Sequence, residues 1–253
     1  MSLSQLRGNY LTRTLWSWLI RSEAIDFAKL HLCYEVKNSM APRPRILIAD
    51  DHTLVAELCK RLLETEFDVI GIVGDGRAMV RAATEQKPHV IIVDIAMPLL
   101  NGLDAGLQVK KECAAVKLIY LTMNPDPTLA AEAFRRGGSA YLLKTCAASE
   151  LVTAVREVLR GNTYVSRKLP KDKIHYLRSQ DKVLVEEDAR LTARQREVLQ
   201  LLAEGKCMKE AGAILHMTTR TVAFHKYRMM EVLDMKSTAE LVRFAVRNYV
   251  VAA

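Results

Sequence analysis

Asp50, Asp51, Asp94, Thr122 and Lys144 each stand where a short aliphatic run stops. Asp50-Asp51 ends RILIADD, Asp94 closes VIIVD, Thr122 closes KLIYLT, and Lys144 follows AYLL. Three carboxylates, a hydroxyl and an ammonium gathered at one place could bind a divalent cation and a phosphoryl group. Carboxylates about 4 Å apart repel by roughly 4 kcal/mol at an effective dielectric near 20. Burying a charge without a partner costs several kcal/mol more. A hard cation with oxygen ligands offsets both, and a site with few protein ligands suits Mg²⁺. A lone aspartate at a strand end is ordinarily a helix cap or a turn residue, so it is the joint placement that points to chemistry.

The placement follows from the elements that carry these residues. RILIA, FDVIGIV, VIIVD, KLIYLT and AYLL have strand length and β-branched content. Amphipathic segments near 54–65, 77–86, 103–113, 127–136 and 149–160 lie between and after them. Strands alternating with helices predict an α/β domain with a doubly wound, five-stranded parallel sheet, flavodoxin-like, over residues 45–162. VIIVD is apolar up to its last residue, as in a strand covered on both faces. In such sheets ligands bind outside the carboxyl ends of the strands, where the five polar residues fall. Pro98 and Asn101-Gly102 would shape the loop behind Asp94 and start the next helix.

Residues 163–188 are mixed and heavily charged and read as a linker with some helix of its own. Residues 1–44 differ from the rest, with Pro42 and Pro44 before the first strand. Met40 is a natural start for a compact domain, so the first 39 residues are expected to be an upstream extension or a poorly ordered tail. The 253 residues carry a net charge of +8, unevenly spread. Residues 45–164 hold 14 basic and 15 acidic groups, whereas residues 189–253 hold 11 basic and 6 acidic ones. Only the second region is thus suited to a polyanion. The five cysteines are scattered with no C-x-x-C, which excludes a disulfide framework or a zinc site and suits a cytoplasmic protein. No apolar run reaches the length of a membrane span.

From residue 189 to 253 the helical period takes over and predicts an all-α, four-helix domain. Thr192 with Gln195 makes a capping box for the first helix. Its apolar face is Val198, Leu199, Leu201 and Leu202, and Gly205 ends it. The second helix spans Met208–Leu215, and Gly212 within it should cost about 0.5–1 kcal/mol. HMTT is a short turn with Thr218 or Thr219 as cap, the third helix starts near Arg220, and Ser237 caps the fourth. Two helices across so tight a turn suggest helix-turn-helix. On the third helix Val222, Met229 and Leu233 form a packing face, with His225 or Lys226 alongside. Arg220, Thr221, Ala223, Phe224, Lys226, Tyr227 and Arg228 are the candidates for contact with double-stranded DNA in the major groove. A basic helix face is more often merely solvated; its place after a helix and tight turn in a basic domain favours DNA.

These motifs resemble two known modules. Asp50-Asp51, Asp94, Thr122 and Lys144, with DIAMPLLNGLD, resemble the signature of two-component receiver domains. LTARQREVLQLLAEGK and RTVAFHKYRMMEVL resemble the LuxR/GerE-type DNA-binding domain. Together they are similar to a NarL/FixJ-type response regulator. The resemblance implies that Asp94 accepts a phosphoryl group from a sensor histidine kinase. It implies that Asp50, Asp51, Asp94 and the backbone carbonyl of Ala96 hold Mg²⁺. Lys144 and Thr122 would contact the phosphoryl group, Tyr141 would swing inward with it, and a homodimer would form on DNA. Two departures stand out. Ala223-Phe224 follows the Thr-Val pair where many relatives have lysine, and Thr145 follows the lysine where many receivers have proline or aspartate.

A haloacid-dehalogenase-type phosphatase also puts a nucleophilic aspartate after an apolar strand. It needs a second aspartate two residues later, and Ala96 stands there. Other rivals are a regulator that binds DNA constitutively, its receiver only a dimerisation module, and a protein adaptor whose basic face never meets DNA.

Overall fold

The computed structural model describes residues 42–179, 191–248 and 250–251. Residues 1–39 and most of the expected linker end, 180–188, lie outside the described residues. The chain from Arg45 runs β1 (Arg45–Ala49), α1 (Thr53–Leu63), β2 (Asp68–Val73), α2 (Gly76–Gln86), β3 (Val90–Asp94), α3 (Gly102–Glu112), β4 (Lys117–Thr122), α4 (Pro127–Arg135), β5 (Ala140–Leu143) and α5 (Ala147–Leu159). There follow β6 (Tyr164–Val165), α6 (Lys171–Ser179), α7 (Ala193–Ala203), α8 (Met208–Leu215), α9 (Thr219–Val232) and α10 (Thr238–Arg247).

The strands form one parallel sheet in the order β2-β1-β3-β4-β5-β6. Side-chain alternation divides its core between two faces. Leu47, Ile91, Val93, Leu118 and Tyr120 pack with α2, α3 and α4, while Ile46, Ile48, Val90, Ile92 and Ile119 pack with α1 and α5. All five residues of β3 are buried, Asp94 included. Among the described residues the sheet has six strands, the five expected and one more. Tyr164 and Val165 pair with Ala140 and Tyr141 of β5. A two-residue strand has too little alternation to register in a sequence, and its edge position supplies hydrogen bonds from one side only. The sheet thus reaches past residue 162, and α6, the helix anticipated within the linker, packs against α4.

The C-terminal helices share a separate core of Val198, Leu199, Leu201, Leu215, Val222, Met229, Leu241 and Phe244. Caps form as their sequences dictate. Thr192 and Gln195 complete a capping box on α7, Thr218 accepts from the Thr221 N–H at α9, and Ser237 accepts from Glu240 at α10. Gly212 has a packing reason: a Cβ there would lie 2.7 Å from the Met217 carbonyl oxygen. The chain turns so sharply after α8 that only a hydrogen fits, with His216 in left-handed backbone at φ +53°. Among the described residues, no helix is long and apolar enough to cross a membrane.

Candidate functional site

The five predicted residues converge at the carboxyl edge of the sheet. β1 and β3 are hydrogen-bonded neighbours, so Asp50 and Asp94, at the ends of these strands, come together. Lys144, just past β5, reaches across β4: its Nζ is 2.9 Å from Asp50 Oδ2 and 2.9 Å from Asp94 Oδ2. Asp50, Asp94 and Thr122 are buried, whereas Asp51 is exposed. Thr122 Oγ1 accepts from the Asn124 N–H at 3.1 Å. The Ala96 N–H donates to Asp94 Oδ1 at 3.3 Å, which aims the carboxylate.

One neighbour escaped the sequence reading. His52 Nδ1 lies 2.8 Å from Asp51 Oδ1, 3.4 Å from Asp50 Oδ1 and 3.9 Å from Asp94 Oδ2. Ligand atoms of Asp50, Asp51, His52 and Asp94 all fall within 4.8 Å of one another. His52 follows Asp50-Asp51 directly, and adjacency was the signal, but a single histidine next to acids is too common in sequences to stand out. Three carboxylates this close, two of them buried, fit a hard divalent cation, which prefers oxygen donors.

Electrostatics are set by burial against pairing. Burial pushes the Asp94 carboxyl above its ordinary range, although Lys144 opposes the rise. Burial also works against the Lys144 ammonium, yet its contacts to Asp50 and Asp94 outweigh it and hold the pKa above the usual lysine value. A charged lysine and a relatively basic carboxylate therefore face each other. That is the arrangement needed by a carboxylate nucleophile whose product carries extra negative charge.

Tyr141 is fully buried, and its hydroxyl donates to the Asn124 carbonyl at 2.9 Å. This contact ties the Tyr141 ring to the loop after β4.

The loop from β3 to α3 is tightly constrained. A Cβ on Gly102 would fall 2.1 Å from the Asp94 carbonyl oxygen, and one on Gly76 would fall 1.9 Å from that of Leu100. Asn101 caps α3 by accepting from the Asp104 N–H. The loop also meets the C-terminal helices. Gln200 Oε1 accepts from the Asn101 N–H at 2.7 Å, and Gln200 Nε2 donates to the Met97 carbonyl at 3.0 Å. Glu204 Oε1 accepts from the Leu99 N–H at 3.0 Å. Beside them Arg196 Nε bridges both oxygens of Asp104 at 2.9 and 3.0 Å, and Arg136 Nη1 reaches the same carboxylate at 2.7 Å. Burial would raise the Asp104 carboxyl, but the two guanidinium groups outweigh it and hold the pKa below the usual range. Arg196 and Gln200 are one helical turn apart on α7, a spacing that reads as an exposed polar face until a second domain covers it.

The candidate DNA-contacting residues all lie on α9. Arg220, Phe224, Tyr227 and Arg228 are exposed; Thr221, Ala223 and Lys226 are half-buried. Phe224 and Tyr227 are 65% and 61% exposed, unusual for large aromatic rings with no partner surface. Arg228 pairs with Glu231 at 2.6 Å, and Lys226 Nζ stands 5.7 Å from the centre of the Tyr227 ring. The opposite side of α9 holds the buried Val222 and Met229.

The profile of the response regulator receiver domain matches residues 46–156, and that of bacterial regulatory proteins of the luxR family matches residues 189–245. The transcriptional regulatory protein LiaR of Bacillus subtilis (strain 168) is 34% identical over 209 residues, covering 82% of this chain and 99% of that protein. The oxygen regulatory protein NreC of Staphylococcus haemolyticus (strain JCSC1435) is 32% identical, covering 81% of this chain and 97% of that one. Among solved structures, a LuxR-family two-component response regulator from Aurantimonas sp. SI85-9A1 is 27% identical with a TM-score of 0.51, over 55% of this chain and 100% of the other. The chain thus belongs to the NarL/FixJ-type response regulators of two-component systems, DNA-binding transcription regulators built from a receiver domain and a luxR-family helix-turn-helix domain.

Proposed function

We propose that this regulator is switched by phosphorylation of Asp94 by a sensor histidine kinase and then acts on its genes as a homodimer on DNA, in the cytoplasm. The observation that carries the reading is the Asp50–Lys144–Asp94 contact at the end of a buried strand. In the transfer, an oxygen of the Asp94 carboxylate attacks phosphorus, the P–N bond of the kinase phosphohistidine breaks as the new P–O bond forms, and the imidazole leaves. Phosphoryl transfer depends mainly on positioning and charge neutralisation. The Ala96 N–H orients the nucleophile, and Lys144 is placed to neutralise the phosphoryl oxygens as a point charge. Thr122 would donate its hydroxyl hydrogen to the phosphoryl group while its oxygen accepts from the Asn124 N–H. Mg²⁺ would be held by Asp50, Asp51, Asp94 and the Ala96 carbonyl, and would supply further charge neutralisation.

The phosphorylated loop then releases α7, since Met97, Leu99 and Asn101 contact that helix within seven residues of Asp94. On DNA, Arg220, Thr221, Ala223, Phe224, Lys226, Tyr227 and Arg228 would face the major groove, with two copies reading half-sites about one turn apart. Arg220, Lys226 and Arg228 suit phosphates or guanine edges, and Phe224 suits thymine methyl groups. The test is binding to promoter duplexes selected from genomic fragments, with and without beryllofluoride, for the parent and Asp94→Ala. The expected result is tighter binding with beryllofluoride for the parent alone. Equal binding by both proteins under both conditions would favour a constitutive regulator instead.

A further inference from the structure

We infer that His52 is a nitrogen ligand to the divalent cation of the phosphoacceptor site, and that it makes the site prefer Mn²⁺ to Mg²⁺. The inference rests on the reading of Asp50, Asp51 and Asp94 as the carboxylate ligands of that cation. His52 occupies the N-cap of α1, a place where Ser, Thr, Asp or Asn ordinarily accepts a hydrogen bond from the first turn. Its side chain caps nothing. Instead the His52 backbone N–H donates to Asp50 Oδ1 at 2.9 Å, and backbone at φ −87°, ψ 95° brings the imidazole over the carboxylates. The side chain is 63% exposed, so it does not fill the core and has room to turn to water. Its Nδ1 lies among three carboxylates instead, and His52 lines the same cavity as Asp94, Thr122 and Lys144.

The spacings are those of a coordination sphere. Ligand atoms about 2.1 Å from an octahedral cation stand about 3 Å apart when adjacent and about 4.2 Å apart when opposite. His52 Nδ1 is 2.8 Å from Asp51 Oδ1, 3.4 Å from Asp50 Oδ1 and 3.9 Å from Asp94 Oδ2. A hydrogen bond to Asp51 alone would account for the first distance but not for the other two. The carboxylates also keep lone pairs for a cation. Among the described residues, Asp50 Oδ2 and Asp94 Oδ2 receive no well-directed hydrogen bond, and the Lys144 ammonium, 2.9 Å from each, meets them by charge. The nitrogen decides which cation gains. Mg²⁺ takes carboxylate, carbonyl and water oxygens and dehydrates reluctantly, whereas first-row transition cations accept imidazole as well. Mn²⁺ shares the octahedral oxygen preference of Mg²⁺ and lies in that row, so three carboxylates and one imidazole suit it together. His52 therefore strengthens Mn²⁺ binding and adds little for Mg²⁺.

The test loads the full chain with Mn²⁺ or Mg²⁺ alone. Electron spin-echo envelope modulation of the bound Mn²⁺ detects a directly ligated nitrogen, and titration calorimetry gives the affinity for each cation. The parent should show nitrogen modulation that His52→Ala lacks. His52→Ala should bind Mn²⁺ about tenfold more weakly, the low end of what losing even a supporting hydrogen bond costs at a metal site. It should bind Mg²⁺ as tightly as the parent, while Asp51→Asn should lose affinity for both cations. Circular dichroism checks folding; should His52→Ala not fold, ¹⁵N labelling of histidine in the parent decides, since it must change the modulation. Bound Mn²⁺ without nitrogen modulation, or equal Mn²⁺ affinity in folded His52→Ala, would overturn the ligand role of His52. The carboxylate site would then still stand on the loss in Asp51→Asn. Parental Mn²⁺ and Mg²⁺ affinities in Asp51→Asn would overturn both.

Discussion

Two buried charge clusters lie on either side of the β3–α3 loop, and they are built for opposite purposes. At the sheet edge, Lys144 serves two carboxylates, Asp50 and Asp94, with the exposed Asp51 and His52 beside them. Negative charge is in excess there, and Asp94 is left with a raised pKa because burial is not fully answered. At the domain interface the balance reverses. Asp104 accepts from Arg136, Arg196 and the Asn101 side chain, and its pKa is lowered. The first cluster is compatible with a divalent cation, while the second joins two domains through ion pairs. A buried carboxylate is thus suited to chemistry where burial outweighs its pairing, as at Asp94, and to fastening where paired cations outweigh burial, as at Asp104.

The contrast is tested most severely by Asp94→Asn. It should abolish phosphorylation by phosphoramidate while the protein stays folded, as read by intact mass and circular dichroism. Next comes Lys144→Ala, which removes the cation that contacts both Asp50 and Asp94. Phosphorylation should slow about 10²–10³-fold, the usual cost of losing a group that stabilises developing charge. At the fastening end, Asp104→Asn removes the carboxylate shared by Arg196 and Arg136, of which Arg136 keeps its pair with Glu132. The loss in urea-unfolding stability should be about 3 kcal/mol, the low end for breaking a buried ion pair.

The same residue gives a pH dependence of fixed sign. The Asp104 pKa is depressed in the folded protein, so its stabilisation is complete above the ordinary carboxylate range and is lost as pH falls through the depressed value. Urea unfolding between pH 7 and 3 should show the gap between the parent and Asp104→Asn closing toward acid. A constant gap would mean that Asp104 is not held as the anion. The smallest expected effect concerns Cys59, whose thiol is pushed up to about 11, by burial first and then by Asp50. In the native protein it should react with iodoacetamide far more slowly than the exposed Cys207, as peptide mapping would show.

The two clusters also differ in how readable they were. The chemical one is written into single strands: VIIVD carries Asp94 to the sheet edge whatever surrounds it, and KLIYLT and AYLL do the same for Thr122 and Lys144. The fastening one depends on which surfaces meet. Arg196 and Gln200 look like the solvated side of an amphipathic helix, and nothing local distinguishes them from Arg194. Asp104 is an acid in the first turn of α3, a place the helix dipole favours on its own. Leu99 shows the same limit from the other direction: a leucine in left-handed backbone makes sense only once the second domain is in place. The sixth strand was missed because two residues carry no period.

If one loop serves both the acceptor chemistry and the domain contact, the state of Asp94 must be felt at α7. The backbone N–H groups of Leu99 and Asn101 report on this directly, since Glu204 and Gln200 accept from them. Amide hydrogen exchange of these two positions should be slow in the unmodified protein and speed up together once beryllofluoride and Mg²⁺ are bound. Unchanged protection at both, with beryllofluoride demonstrably bound, would contradict the coupling of the acceptor site to the DNA-binding domain.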